Sequence, residues 1–67
     1  MAYGEELKAL REKRGISQRE LATALEVSPA LIAHYELGAK VPNVSLAERI
    51  AKYFGVTIDS MVRGNGK

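Results

Sequence analysis

Residues 17–38, Ser-Gln-Arg-Glu-Leu-Ala-Thr-Ala-Leu-Glu-Val-Ser-Pro-Ala-Leu-Ile-Ala-His-Tyr-Glu-Leu-Gly, decide how this chain folds. Ser17 and Glu20 have the spacing of a capping box: the serine hydroxyl accepts from the Glu20 amide, and the Glu20 carboxylate reaches back to the Ser17 amide. Leu21, Ala22 and Leu25 then form an apolar stripe on a helix of about eight residues. Three residues later the chain starts again. Ser28 is an N-cap and Pro29 sits at the first helical position, where its missing N–H costs nothing. This helix runs to Glu36 or Leu37 and stops at Gly38, a residue that takes the left-handed C′ conformation without strain. The stretch is therefore two short helices joined by a tight turn.

The flanks follow the same punctuation. Before it, residues from about Gly4 to Arg14 carry Leu7 and Leu10 on one face and end at Gly15. After it, Lys40-Val41-Pro42-Asn43 reads as a loop, and Asn43 or Ser45 caps a fourth helix. Leu46, Ala47, Ile50, Ala51 and Phe54 give that helix one buried face, and Gly55 ends it. Thr57 caps a short fifth helix with Ile58, Met61 and Val62. No period-2 alternation appears, so no sheet is expected. The fold class is all-α, a compact five-helix domain spanning residues 1–67, with an ordered core over about 4–62 and a flexible tail over 63–67.

Composition narrows the function. The 67 residues make one domain, and a domain this small buries only about 60% of the surface its unfolded chain exposes. Cysteine is absent, which excludes disulfides and thiolate metal sites. The apolar share of 46% argues against disorder. No apolar run approaches the roughly 20 residues of a membrane span, and no signal-peptide pattern opens the chain. A cytoplasmic place follows by default. A net charge of +2 and a pI near 9.2 lean towards an anionic partner. Nothing supports catalysis: the lone His34 has no serine and carboxylate around it, and neither a phosphate loop nor metal-ligand spacing is present. No catalytic residue, cofactor, metal or small-molecule ligand is expected.

Two helices around a three-residue turn suggest a helix-turn-helix. Gln18-x-Glu20-Leu21-Ala22, Val27-Ser28-Pro29, Ile32-x-x-Tyr35-Glu36-x-Gly38, Pro42, Ile50-Ala51 and Gly55-Val56, in that order and spacing, resemble the lambdoid-repressor and Xre-like family of the Cro/C1 type. The resemblance covers about residues 5–62. It implies a lambda-repressor-like fold and a sequence-specific regulator of transcription, a repressor binding a palindromic operator on double-stranded DNA as a homodimer, of bacterial or phage type and nucleoid-associated.

The resemblance also assigns roles. The third helix enters the major groove, whose base edges carry a readable donor and acceptor code. With Ile32 and Tyr35 turned inward, the base-facing residues are Pro29, Ala30, Ala33 and His34, with Leu31 at the margin. Gln18 matches a phosphate-binding position at a helix N-terminus, where free amides and the helix dipole favour an anion. Ser17, Arg19, Ser28, Lys40 and Asn43 add backbone contacts. Arg11 and Glu36 match an ion pair that ties the first helix to the third. The basic cluster of Lys8, Arg11, Lys13 and Arg14 is either a solvated face or a further backbone contact. A dimer would use the fourth and fifth helices through Tyr53, Ile58, Met61 and Val62, side chains that could equally finish the core of the single domain.

The chain departs from the pattern twice. The outward face of its third helix is two alanines, a proline and a histidine where polar residues are common, so His34 could donate to a guanine or a phosphate while the alanines and Pro29 could only pack on thymine methyl groups; Leu37 also stands where a polar residue is usual. And Glu26 stands where the family has glycine, in a turn that needs a left-handed residue. The plain recognition helix supports an alternative: a protein-interaction or antitoxin-like module that binds DNA weakly. The ending fits both a complete small regulator and an N-terminal domain cut at a linker.

Overall fold

A computed structural model describes residues 2–63 of the chain. Five helices follow one another: α1 (Ala2–Lys13), α2 (Gln18–Leu25), α3 (Pro29–Leu37), α4 (Val44–Phe54) and α5 (Ile58–Arg63). Among the described residues there is no strand. The connections have three to six residues, short enough to force each helix to turn sharply against the one before it.

Each start after the first is capped from its own sequence. Ser17 Oγ accepts from the Glu20 amide at 3.0 Å, and the Ser17 amide donates to Glu20 Oε1 at 2.8 Å. Ser28 Oγ accepts from Leu31 N, and Asn43 Oδ1, rather than Ser45, accepts from Leu46 N at 2.8 Å. Thr57 Oγ1 accepts from Ser60 N. A cap of this kind contributes about 1 kcal/mol. Cation placement helps at an end as well: Arg49 Nη2 on α4 donates to the Leu25 carbonyl at 2.6 Å, closing the C-terminus of α2.

The stop of α2 is the strained one. Glu26 has φ 62°, ψ 42°, and its amide donates to the carbonyls of Ala22 and Thr23. It is the one non-glycine residue of the described chain with positive φ, a conformation that costs an L-residue about 1–2 kcal/mol. Because its side chain is exposed, nothing offsets that strain. Glu26→Gly is therefore expected to stabilise the domain by about 1 kcal/mol, raising Tm by roughly 4–8 °C in a thermal melt. A lowered Tm would mean that the turn is not left-handed in solution.

The core draws one fully buried side chain from every helix: Leu7, Leu21, Ile32, Ile50 and Met61. Tyr3, Ala22, Leu25, Tyr35, Ala51 and Phe54 surround them. α3 packs against both α1 and α2, and α5 closes against α1 and α4. The helix carrying the exposed face is thus held from two sides. Gly4, in the first turn of α1, lets that helix cross the end of α3 closely: a Cβ there would lie 2.5 Å from the Tyr35 carbonyl oxygen and 2.7 Å from that of Glu36.

Three expectations are corrected. Helix α1 begins at Ala2, before Gly4, because Tyr3 has core to cover. Arg63 is not tail but the last residue of α5, its guanidinium donating to Asp59 at 2.8 Å one turn back; residues 64–67 of the expected tail lie outside the described residues. Met61 is fully buried and presents no dimer surface, while Ile58 is half-buried and divides its side chain between the core and the surface. A five-helix domain of this size needs its last helix to finish its own interior.

The Tyr3 hydroxyl is buried and has no hydrogen-bond partner among the described residues. Burial, with a smaller push from the neighbouring Tyr35 phenol, raises its pKa from the ordinary 10.0 to about 12; burial raises Tyr35 as well. In both cases the folded state holds the proton more tightly than the unfolded chain. The Tyr3 contribution is thus complete below about pH 10 and is lost as pH climbs from about 10 to about 12, and Tyr35 adds to the alkaline loss in the same direction. Tyr3→Phe is expected to gain about 1 kcal/mol at neutral pH by removing the orphaned hydroxyl, and to flatten the alkaline loss. Denaturant midpoints at neutral and alkaline pH measure both effects, and an unchanged alkaline slope would count against the assignment.

Candidate nucleic-acid interface

The turn Glu26-Val27-Ser28 sets α3 across α2 and leaves one side of α3 uncovered. Ile32 and Tyr35 point into the core. Pro29, Ala30 and His34 are exposed, and Ala33 is half-buried. Leu31, taken as marginal, is half-buried and packs on the core. The expected reading face is therefore Pro29, Ala30, Ala33 and His34, with Leu31 turned partly inward. Sequence reasoning noted one further member without counting it as base-facing. Leu37, two turns beyond Ala30, is 82% exposed, and at about 100° per residue it falls on the same side. The helical wheel alone contained that signal.

Orientation of α3 is held by a part-buried polar network. Arg11 Nε donates to Glu36 Oε2 at 2.6 Å, and Arg11 Nη2 donates to Glu36 Oε1 at 3.2 Å. Arg11 Nη1 donates to the Ile16 carbonyl at 2.8 Å. The side chains are 11% and 4% exposed. The hydrogen bond to Glu36 raises the Arg11 pKa further above its ordinary value, so the guanidinium keeps its charge. Gln18 joins it, Nε2 donating to Glu36 Oε1 at 3.0 Å. The first residue of α2 and the last turn of α3 are thereby tied through one carboxylate.

The expected phosphate-side residues divide by what their side chains already do. Arg19 and Lys40 are exposed, and neither makes an ion pair among the described residues. Ser17 and Ser28 accept cap bonds through Oγ and keep a hydroxyl proton to donate. Asn43 caps through Oδ1 and keeps its amide N–H groups. Gln18 has one N–H committed to Glu36 and another left to give. All stand at helix N-termini or, for Lys40, in the loop leading to one.

The basic cluster separates. Arg11 is engaged as described. Arg14 stacks over the Tyr53 and Phe54 rings, with centroid distances of 5.5 and 5.3 Å, and donates to the Tyr53 carbonyl at 3.3 Å. It fastens the end of α1 to the end of α4. Lys8 and Lys13 remain exposed. Among the described residues no group of three or more His, Asp or Glu side chains could hold a metal ion, and no helix is long and apolar enough to cross a membrane.

Comparison with known proteins agrees with this geometry. The helix-turn-helix family model matches residues 7–61. Among similar proteins are an HTH-type transcriptional activator, BcrR, of Enterococcus faecalis, 38% identical over 96% of this chain and 31% of its own length; an endothelial differentiation-related factor 1 homolog of Danio rerio, 31% identical over 87% of this chain and 40% of its own length; and a cryptic phage CTXphi transcriptional repressor, RstR, of Vibrio cholerae, 30% identical over 90% of this chain and 54% of its own length. The chain thus spans about a third to a half of these relatives. No solved structure matches it. With the match running from α1 into α5 and centred on the α2–turn–α3 unit, the chain belongs to the helix-turn-helix family, in its Xre-like form with a lambda-repressor-like fold.

Proposed function

We propose that the domain binds double-stranded DNA by laying α3 in the major groove, and that it regulates transcription as a homodimer on an inverted-repeat operator. The observation that carries this reading is the uncovered face of α3, flanked by capped helix N-termini and by Gln18, Arg19 and Lys40. Helix N-termini with free donors suit phosphate oxygens, and the overall +2 charge favours the encounter. Such a module is a binder and not an enzyme. A cytoplasmic, nucleoid-associated place in a bacterial or phage setting goes with that role.

One domain grips too little DNA to be selective, so pairing is part of the proposal. Tyr53 and Val62 remain exposed from the expected dimer residues. A better surface lies beside Val62. Val41 and Val44 are 74% and 72% exposed, and with Pro42, Ala47, Ile58 and Val62 they line a shallow groove of about 310 Å³ that contains no charged residue. The groove adjoins Lys40 and Asn43 in the chain, and a two-fold copy docked on it would need to set both recognition helices about 34 Å apart, one turn of B-DNA. Occlusion of a promoter by that dimer would make it a repressor.

Selection of bound sequences from a random DNA pool, followed by titration of the winner at two salt concentrations, tests the reading. An inverted repeat with half-sites one turn apart is expected. A dimer with about six phosphate contacts should lose on the order of 10³-fold in affinity between 50 and 200 mM salt. Weak, uniform binding without enrichment would sink the proposal and favour a protein-interaction module, the second reading supported by the nearly unpolar α3.

A further inference from the structure

Helix α3 is apolar nearly all the way round, with Pro29, Ala30, Leu31, Ile32, Ala33 and Leu37. Such a helix is ordinarily buried on every side, yet here one side is open. Ala30, Ala33, His34 and Leu37 fall within an arc of about 100° on the helical wheel. Of the polar groups on or at the start of α3, Tyr35 is buried, Glu36 is held by Arg11 and Gln18, and Ser28 Oγ is a cap. His34 is the one side chain on that arc able to hydrogen-bond. Leu37 and Ala33 share a groove of about 300 Å³ with Lys8, Arg11, Gln18 and Glu36. The one carboxylate in that groove is neutralised by Arg11. Lys8 is exposed and makes no ion pair among the described residues.

An apolar stripe with a cationic rim fits a polyanion that displays methyl groups. On the major-groove edges of unmodified base pairs, the thymine C5-methyl is the one apolar group. We propose that Leu37, together with Ala30 and Ala33, reads thymine methyl groups, and that Lys8 meets a phosphate beside them. Operator information would then be carried mainly by a row of methyls rather than by donors and acceptors. The stripe from Ala30 to Leu37 is about 10 Å long, the rise of about three base pairs. This inference rests on the DNA-binding reading above and names what that site recognises.

Deoxyuridine supplies the test, because it keeps every hydrogen-bonding atom of thymidine and lacks only the methyl. The sequence selected by the full chain is remade with deoxyuridine at each thymidine in turn and at all together, and affinities are compared. A loss of about four-fold per contacted methyl is expected, and Leu37→Ala should remove about one such factor from the uridine penalty. The side chain is exposed, so Tm should not move, and an unmoved Tm separates lost contact from lost fold. If the selected DNA binds equally well with uridine throughout, methyl reading is overturned and DNA binding stands. If Leu37→Ala leaves the uridine penalty intact, the assignment to Leu37 is overturned. If the pool returns no sequence, the DNA-binding reading falls with it and the apolar face belongs to a protein partner.

Discussion

Arg11→Ala is expected to destabilise the domain by about 3–5 kcal/mol, the largest effect of any exchange outside the apolar core. The alanine strands the Glu36 carboxylate, 4% exposed, with Gln18 Nε2 as its remaining side-chain donor, and it frees the Ile16 carbonyl that Arg11 Nη1 holds. Domains of this length have a total stability of about 3–10 kcal/mol, so the variant should be partly or wholly unfolded at 37 °C. Thermal and urea melts followed by circular dichroism measure this. Adding Glu36→Gln removes the stranded charge and should restore a good part of the loss, so that the two changes are strongly non-additive. A loss below about 1 kcal/mol for Arg11→Ala would be the behaviour of an exposed pair, and would show that water reaches Glu36 in solution.

Gly4→Ala carries the second large effect. Helix propensity by itself favours alanine by about 1 kcal/mol in α1. Packing opposes it: the new methyl would sit 2.5 Å from the Tyr35 carbonyl oxygen and 2.7 Å from the Glu36 carbonyl oxygen, and both are backbone atoms that cannot swing aside. Overpacking of this kind costs about 1–3 kcal/mol, occasionally more, and contact with rigid carbonyls belongs at the upper end. The net expectation is a loss of about 2 kcal/mol, or roughly 8–16 °C in Tm. A rise in Tm would show that α1 and α3 stand further apart than described. Because the clash falls on the last turn of α3, affinity for the selected operator should fall together with stability.

Much of the fold was legible because each helix announces its ends. Ser17, Ser28, Asn43 and Thr57 mark starts, Gly15, Gly38 and Gly55 mark stops, and the left-handed place of Glu26 came from the family resemblance, which has glycine there. The first helix gave no such mark at its start, and its extra turn at Ala2 and Tyr3 depends on tertiary packing. Met61 and Val62 illustrate a harder limit. They are adjacent on a six-residue helix, too short for periodicity to say which faces inward, and only the closure of α5 on α1 and α4 decides it.

The candidate site divides in the same way. The outward set of α3 follows from its helical wheel once Ile32 and Tyr35 are placed inside, and Leu37 belongs to it for the same reason. The contacts that hold α3 in place are different. Arg11 and Glu36 are 25 positions apart, Arg14 and Tyr53 are 39 apart, and Arg49 and Leu25 are 24 apart. No local spacing encodes such pairs; the first came from family resemblance, and the other two became visible only in three dimensions. Arg14 read as a free cation in the sequence and is instead committed to two aromatic rings.

The short connections between helices bear on how the protein behaves over time. With three to six residues between successive helices, α2 meets α3 and α4 meets α5 against little loop entropy, while α1 closes on α3 and α5 across longer stretches of chain. Helical domains of this kind fold in microseconds to milliseconds. Unfolding is correspondingly frequent, so persistence depends on how small the open population is and not on a high barrier. Where opening and closing outpace cleavage, degradation follows that population directly. Any substitution that weakens the domain by a kilocalorie or two would then lower its abundance severalfold, and in the proposed role of occupying a DNA site, lifetime would become a form of control.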